Sequence, residues 1–456
     1  MSKNLKVLLP LFGDIVALYL SLYLVLWFRY GTQLGSGVWD QHFLPFTIVY
    51  LIWLGVFYVL NLYSLAAIWN VAEFFRKFTT AMLVNTAVAI FFFYLIPYFG
   101  ITPKTNLFLD LVVFTLLFSG WRFIYSKIIR AVGTTNNLVL IGAHAASIEL
   151  ARKILDHPEL GYSIVAVFNL NGESLPKWLK DSGILVGENL SQLEKLVRSG
   201  EINSVVVSNE IYADIFGDLY RLIPTGADFQ NLSSFWEEFD RSIPVSETDE
   251  VWFLENLRGV RKRLYEIRKR GIDIFFSIVF GLVFLALFPL IVLGIKLSGP
   301  GPVFYFQKRV GKDGKTFEMV KFRTMVPDAE KNGAQWAEKD DPRITKFGRF
   351  LRNMRLDELP QLINVLKGEM SFIGPRPERP EFVDRLSEEI PHYDLRHLIR
   401  PGVTGWAQIN YPYGSSEDDA AKKLRYDLYY LKNRSFLLDG EIVLRTIGVV
   451  LSRKGR

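Results

Sequence analysis

Four apolar stretches in the first 130 residues constrain this chain more than any other feature of its sequence. They cover residues 8–28, 43–62, 80–98 and 107–125. Each approaches the ~20 residues that an α-helix needs to cross a bilayer. Hydrophobic residues make up 50% of the chain and aromatic residues 14%, which is high for a soluble protein. The sequence therefore predicts a membrane protein with an α-helical four-span bundle over residues 1–130.

Basic residues flank these stretches unevenly. Arg76 and Lys77 lie between the second and third stretches, and Lys127 follows the fourth. The loop between the third and fourth stretches carries only Lys104, and the loop after the first has only Arg29 at its edge. Because Lys and Arg concentrate in cytoplasmic loops, we expect both ends of the bundle to face the cytoplasm.

From about residue 136 the pattern changes to short apolar strands that alternate with helices. The predicted strands cover residues 138–141, 163–168, 184–186 and 204–208. This alternation predicts a Rossmann-like parallel α/β domain over residues 131–250. The turn after its first strand, Gly142 to Ser147, reads GAHAAS and lacks the GxGxxG pattern that lets a backbone approach a pyrophosphate. A structural or regulatory module is therefore favoured over a nucleotide site.

Residues 251–298 combine a basic connector with a fifth apolar stretch, residues 272–295. The connector suits contact with anionic lipid headgroups. Lys and Arg flank the apolar stretch on both sides, which favours the cytoplasm for both ends. Pro289 lies inside it and predicts a break in the helix, because proline lacks an N–H and clashes with the preceding turn. We expect a re-entrant membrane helix that bends near Pro289 and returns; a kinked full span is the alternative.

Two adjacent carboxylates, Asp357 and Glu358, precede a stretch with helical periodicity that stops at Gly368. This pattern predicts a helix of about ten residues with Asp357 as its N-cap. A helix N-terminus favours a bound phosphate, and Arg352 and Arg355 add positive charge just before it. Helix capping alone is the simpler alternative for Asp357.

A carboxylate in this position can also attack phosphorus, provided that a cation screens its repulsion from the substrate. Asp357 is therefore a candidate nucleophile, and Glu358 a candidate cation ligand or base. A β-hairpin is predicted with its turn at Gly311–Gly314. The two-residue period of its second strand places Lys321 and Arg323 on one face. These two cations could reach a phosphate or lie on an exposed edge.

Other reaction chemistries find little support in the composition. The chain has no cysteine, which excludes thiol catalysis, cysteine-ligated metals and disulfides. Its five histidines show no HxxxH or HExxH spacing, so a zinc site is not expected.

The segment from about residue 269 to the C-terminus resembles the bacterial sugar transferases, the monotopic phosphoglycosyl transferases. The matching blocks are KRGIDI, GPVFYFQKRVGKDGKTFEMVKFRTM, LDELPQLINVLKGEMSFIGPRPERPEF and RPGVTGWAQIN. With the four-span bundle and the α/β domain, the whole chain is similar to the large form of that family. The resemblance implies an α/β-mixed catalytic domain over residues 299–456, preceded by a re-entrant helix.

The resemblance also implies an activity, the transfer of a sugar-1-phosphate from a UDP-sugar donor to undecaprenyl phosphate or another polyprenyl phosphate, with release of UMP. Asp357 would attack the donor and form a covalent aspartyl phosphosugar. Asp357 and Glu358 would hold Mg²⁺. Arg352 matches a family arginine that contacts phosphate. Three further positions match basic residues of the family: Lys321, Arg323 and Arg376.

By the same resemblance, we expect the chain in the bacterial inner membrane, with the lipid bilayer as a partner and the catalytic domain on the cytoplasmic face. It would catalyse the first membrane step of a surface polysaccharide or glycoconjugate pathway, such as exopolysaccharide, capsule or O-antigen synthesis. No nucleic acid partner is expected, and a homodimer stays open. The sequence does not identify the sugar, because hydroxyl selection depends on pocket shape.

Two other functions compete with this one. A membrane-anchored sugar-nucleotide dehydratase or epimerase would need an intact glycine fingerprint and a catalytic YxxxK pattern. One YxxxK match, Tyr265 to Lys269, lies in the basic connector and outside the α/β domain. A non-catalytic scaffold for polysaccharide assembly would not need the acid pair and the basic residues to be intact.

Overall fold

The computed structural model describes most of the chain, and the chain divides into two compact units. The described residues are 3–31, 37–60, 62–63, 71–95, 104–132, 136–170, 172–257, 262–327, 329, 341–411, 414 and 416–451. The first unit comprises Met1–Ala143, Ile148–Val205 and Tyr220–Asp228, and the second comprises His144–Ser147, Val206–Leu219 and Phe229–Arg456. The end of the third apolar stretch (96–98) and part of the basic connector (258–261) lie outside the described residues. The boundaries of the four predicted domains stay predictions.

Long helices form the N-terminal part of the first unit. They are α1 (Lys3–Tyr30), α2 (Val38–Val59), α3 (Val71–Leu95) and α4 (Lys104–Val132). Aromatic side chains such as Trp53 and Phe118 fill the core between them, while Phe12 and Leu116 are exposed. Helices that are apolar on both their inner and outer faces are typical of a lipid environment. Within the described residues, these four helices and a fifth in the second unit are long and apolar enough to cross a membrane.

Buried polar residues in these helices bind one another. Arg122 and Asp14 form an ion pair with 2.6 Å between Nη2 and Oδ2. Asp110 accepts hydrogen bonds from Ser21 Oγ at 2.6 Å and from Tyr50 Oη at 2.8 Å. Each contact joins two helices of the first unit, as is expected where no water is available to satisfy polar groups.

A five-stranded sheet in the order β3-β2-β1-β4-β5 follows the helices, which confirms the α/β domain. The strands are β1 (Asn136–Ile141), β2 (Tyr162–Phe168), β3 (Leu185–Gly187), β4 (Ser204–Val207) and β5 (Asp228–Asn231). β2 pairs in parallel with both β1 and β3. Strand β5 was not predicted, because its residues DFQN lack the β-branched run that marks the other strands.

Helices alternate with these strands and continue into the connector. They are α5 (Ala145–Asp156), α6 (Lys177–Asp181), α7 (Leu190–Arg198), α8 (Asn209–Tyr220), α9 (Leu232–Asp240) and α10 (Glu250–Asn256). They provide the alternation of helices with strands that the sequence predicts.

The remainder of the second unit is a mixed α/β structure. Its helices are α11 (Arg263–Leu297), α12 (Lys346–Asn353), α13 (Leu362–Lys367), α14 (Pro380–Glu389), α15 (Trp406–Asn410), α16 (Glu417–Asn433) and α17 (Phe436–Leu451). Strands β6 (Phe304–Val310) and β7 (Thr316–Phe322) form the predicted antiparallel hairpin. Strands β8 (Ser371–Ile373) and β9 (Gly402–Thr404) pair in parallel.

The expected break at Pro289 is wrong, because α11 continues as helix through Pro289 to Leu297. One proline removes a single helical hydrogen bond, and packing on both sides of Pro289 compensates. Phe288 stacks on Phe304 with 6.0 Å between ring centroids, and Ile291 is buried in the same apolar cluster. A change of helix direction at Pro289 stays a prediction.

Two side-chain contacts fix α13, the helix that follows the acid pair. Asn364 is fully buried; its Oδ1 accepts from Val320 N at 3.1 Å and its Nδ2 donates to Glu318 O at 2.7 Å. Arg270 of α11 donates to the carbonyls of Val365 and Leu366. The acid pair is thereby positioned against both the hairpin and the apolar helix α11.

Gly348 allows α12 to approach the chain just after β7. A Cβ at Gly348 would lie 2.0 Å from Thr324 O, so Gly348→Ala must displace backbone. We expect a loss of about 1–3 kcal/mol and a lower thermal midpoint by tryptophan fluorescence in detergent micelles. The matched control is Gly217→Ala in α8, where an added Cβ meets nothing within 4 Å. Its midpoint should stay equal or rise; equal midpoints for the two variants would contradict the close approach.

Candidate active site

A cavity of about 2020 Å³ in the second unit is lined by all six residues that were predicted to be catalytic or to bind phosphate. These residues are Lys321, Arg323, Arg352, Asp357, Glu358 and Arg376. The cavity also has apolar walls that include Phe276 and Phe280 of α11 and Val443 of α17. It exceeds the ~300–1,000 Å³ of a typical small-molecule site, so it has room for a polar substrate together with part of an apolar one.

Glu358 is held by two cations at the polar end of this cavity. Its Oε1 accepts from Lys321 Nζ at 3.3 Å and from Arg376 Nη2 at 3.1 Å. Burial by itself would raise the pKa of Glu358, but Arg376, Lys321 and Arg355 together hold it well below its usual range. Arg376 stays 40% exposed and is therefore open to a ligand in the cavity.

Asp357 differs from Glu358, because one of its two carboxylate oxygens has no cation within hydrogen-bond distance. Its side chain is 8% exposed, and Oδ1 is buried without a hydrogen-bond partner in the described part of the chain. Burial and the charge of Glu358 raise the pKa of Asp357, against the opposing charges of Lys321, Arg352 and Arg355. An unsatisfied buried carboxylate oxygen is costly and indicates that a ligand, metal or reacting atom belongs beside it.

The assignment of Asp357 as an N-cap is wrong. Residues Leu356–Gln361 form a 3-10 turn that contains Asp357, and α13 begins only at Leu362. Arg355, with φ of 56°, turns the chain into this segment. Gly368 ends α13 in the left-handed conformation, as predicted. With only six residues in α13, the helix dipole contributes little, and the cations are the main source of positive potential.

Arg352 reaches the cavity from α12. Its Nε donates to Thr324 Oγ1 at 2.9 Å, and its charge lowers the pKa of Asp357. Thr324 O accepts from Thr345 N at 3.0 Å, which ties the start of α12 to the same point. The position predicted to contact phosphate is therefore close to the acid pair and oriented by a neighbouring hydroxyl.

Arg323 lines the same cavity, but its hydrogen bonds go to backbone carbonyls. Its guanidinium donates to the carbonyls of Ile295, Gly299 and Pro300 at the end of α11. Carbonyls at the C-terminal end of a helix favour a cation. The two-residue period of β7 places Lys321 and Arg323 on one face, but β7 ends at Phe322 and the next side chain follows the loop. Arg323 therefore fixes the end of α11.

The site offers few ligands for a metal ion by itself. Among the described residues, no group of three or more His, Cys, Asp or Glu side chains could hold a metal. Mg²⁺, however, is commonly bound by one or two carboxylates together with substrate phosphates. Asp357, with its unpartnered Oδ1, and the adjacent Glu358 fit that donor set when a phosphate-bearing substrate is present.

The start of α8, in the α/β part of the second unit, binds a carboxylate of the same chain. Ser208 Oγ and Asn209 N donate to Glu247 Oε2 at 3.2 and 3.3 Å, and Asn209 Nδ2 donates to Glu247 O at 2.6 Å. The carboxyl ends of strands in such sheets are where ligands usually bind. An internal carboxylate in this position favours the structural or regulatory interpretation of the α/β domain.

The YxxxK match is structural. Tyr265 Oη and Lys269 Nζ both contact Asp439 Oδ2, at 2.7 and 2.9 Å. Both side chains thus bind α11 to α17, which removes the main support for a dehydratase.

Four polar residues that contact elements of the site were not predicted as site residues. Arg270, Asn364, Arg396 and Asp427 are each polar residues inside apolar or helical patterns. A polar side chain at a core position of such a pattern is a usable signal, but the partner that satisfies it is distant in sequence.

Comparison with known proteins places the C-terminal part of the chain in a described family. Residues 264–453 match the family model described as Bacterial sugar transferase. A UDP-glucose:undecaprenyl-phosphate glucose-1-phosphate transferase of Escherichia coli (strain K12) is 34% identical over 346 residues, covering 72% of this chain and 69% of the relative.

Two further relatives match shorter segments. The UDP-N-acetylgalactosamine-undecaprenyl-phosphate N-acetylgalactosaminephosphotransferase of Aeromonas hydrophila is 46% identical over 192 residues, which is 42% of this chain and 45% of the relative. A UDP-glucose:undecaprenyl-phosphate glucose-1-phosphate transferase of Xanthomonas campestris pv. campestris is 40% identical over 242 residues, 51% of this chain and 48% of the relative. The matched regions thus span about half the length of these two relatives.

Lys321 provides a direct test of the site's electrostatics. Burial lowers the pKa of Lys321 to about 8, against the opposing charge of Glu358. Glu358→Gln removes that charge and should lower the pKa of Lys321 further, so its deprotonation midpoint shifts to lower pH. Reductive ¹³C-methylation followed by an NMR pH titration measures the midpoint. Glu388→Gln, an exposed change on α14, should leave it unaltered; an unshifted midpoint in Glu358→Gln would contradict the pairing.

Proposed function

This chain belongs to the bacterial sugar transferase family, and on that premise we propose that it transfers a sugar-1-phosphate from a UDP-sugar to undecaprenyl phosphate, releasing UMP. The observation that carries the proposal is the buried Asp357, with an unpartnered oxygen beside the Glu358–Lys321–Arg376 cluster. The names of its relatives supply both substrate classes. The step would begin a surface polysaccharide or glycoconjugate pathway.

The reaction proceeds in two displacements at one phosphorus atom. An Asp357 carboxylate oxygen attacks the sugar-bearing phosphorus of the donor, a new P–O bond forms, and the P–O bond to UMP breaks. A phosphate oxygen of the lipid acceptor then attacks the same phosphorus and displaces the Asp357 carboxylate. Atoms and charges balance without a further reactant, and the covalent intermediate splits one difficult transfer into two.

Each of the surrounding charged residues has a separate role in this reaction. Arg376 and Lys321 neutralise phosphate charge, since both face the cavity at the acid pair. Glu358 keeps these two cations in place. Arg352, oriented by Thr324, adds a third cation near Asp357. Mg²⁺, when bound by Asp357 and Glu358 with the donor's phosphates, would screen the repulsion between carboxylate and phosphate.

We propose that α11 is re-entrant and brings the acceptor to a cytoplasmic site in the bacterial inner membrane. Contacts with the catalytic part of the second unit along the whole helix support this. Asp273, near its start, accepts from Phe372 N at 3.2 Å, and Ile295, near its end, is buried against Phe322 and Leu351. A helix that crossed the bilayer would have to carry this packed domain across with it.

Asp357→Asn should abolish UMP release, because an amide cannot act as the nucleophile. With UDP-glucose or UDP-N-acetylgalactosamine and no acceptor, the unaltered chain should accumulate a hexose-phosphate or N-acetylhexosamine-phosphate adduct on Asp357, read by peptide mass spectrometry. Asp418→Asn, an exposed change on α16, is the matched control and should retain activity. An active chain that stays unmodified at Asp357 with donor alone would refute the covalent mechanism.

The absence of cysteine allows the topology to be mapped with single-cysteine variants. We expect a membrane-impermeant maleimide to label Asp40→Cys on intact cells, since Asp40 follows the first apolar stretch. Lys315→Cys, in the turn after β6, and Asp418→Cys should react only after permeabilisation. Labelling of Lys315→Cys on intact cells, at a rate matching Asp40→Cys, would instead establish α11 as a full span.

A further inference from the structure

We infer that Arg396 and Asp427 are positioning residues that orient Arg376 in the active site, an inference that rests on the proposed function. Arg396 Nη2 donates to Arg376 O at 2.9 Å. Arg376 is in turn the residue whose Nη2 reaches Glu358 at 3.1 Å. The guanidinium of Arg396 thus holds the backbone of the residue that contacts the acid pair.

Arg396 is itself fixed from two sides. Its Nη2 lies 2.8 Å from Asp427 Oδ2 on α16, and its Nη1 donates to Tyr393 Oη at 2.6 Å. Arg396 is 6% exposed and Asp427 is 1% exposed. With both partners buried, the direction of the guanidinium, and hence the position of Arg376 O, is closely defined.

The neighbouring backbone is restrained in the same way. Arg309 Nη1 donates to Pro377 O at 3.0 Å, and Gly402 N donates to Pro375 O at 2.8 Å. Three consecutive carbonyls, those of residues 375–377, therefore accept from other elements. Such restraint matters because the side chain of the middle residue, Arg376, must keep one direction to contact Glu358.

Stability alone explains the Arg396–Asp427 pair poorly. Buried ion pairs are often neutral or unfavourable relative to apolar replacements, because both charges lose their hydration. Arg396 Nε, moreover, is buried without a hydrogen-bond partner in the described part of the chain, which adds a further cost. The arrangement is better explained by the position it gives to Arg376.

A double-mutant cycle tests this role on the full-length chain in nanodiscs. Asp427→Asn removes the charge with little change in size, and it is compared in the unaltered and Arg376→Lys backgrounds. We expect it to lower kcat/KM for UMP release on the order of tenfold in the first background and by less than about twofold in the second, because coupled residues are not additive. The donor is whichever of UDP-glucose and UDP-N-acetylgalactosamine releases UMP.

A second variant tests the same role in case Asp427→Asn does not fold. Tyr393→Phe removes only the hydroxyl that accepts from Arg396, so the fold should persist, and thermal midpoints verify this for every variant. Its smaller loss should likewise disappear in the Arg376→Lys background. If the double variants turn over too slowly, the cycle is read on the dissociation constant for UDP.

The possible failures are distinguishable. If each variant lowers kcat/KM, or the affinity for UDP, by the same factor in both backgrounds, the positioning role is overturned and the proposed function stays intact. Absence of UMP release by the unaltered chain from either donor would overturn the proposed function before any variant is compared.

Discussion

The sharing of Glu358 between Lys321 and Arg376 is the interaction on which the arrangement of the active site depends. A carboxylate buried without partners would protonate or destabilise the fold; two cations keep Glu358 ionised. In return, Glu358 holds a lysine from the hairpin and an arginine from the loop after β8 on one side of the cavity. Asp357 lies in the field of these charges but keeps an unpartnered oxygen, which leaves that oxygen available to a ligand in the cavity.

The supports of this cluster come from elements that are distant in sequence. Arg270 and Asn364 fix α13 against α11 and β7, while Arg396 fixes the backbone at Arg376. In each case a side chain binds a backbone group of another element, so the functional side chains can face the cavity. Because α11 is also the apolar helix, the same contacts place the acid pair against a helix that is long and apolar enough to enter a membrane.

The α/β part of the chain has a different character. Glu247 contacts Ser208 and Asn209 at the start of α8, the place where ligands of such sheets usually bind. The segment around Glu247 leads to α10 and the connector before α11.

The sequence by itself determined the apolar helices, the α/β alternation, the hairpin and the acid pair, because each depends on local periodicity or on a contiguous motif. The candidate site residues that it predicted line one cavity. Only the tertiary structure decided their roles. Arg323 binds the end of α11 because the carbonyls at that helix end lie within its reach, and Asp357 lies inside a 3-10 turn because Arg355 redirects the chain before it. Proline does not end α11, since apolar packing of Phe288 before Pro289 and of Ile291 after it retains the helix. Such outcomes depend on contacts between residues far apart in sequence, which no local pattern specifies.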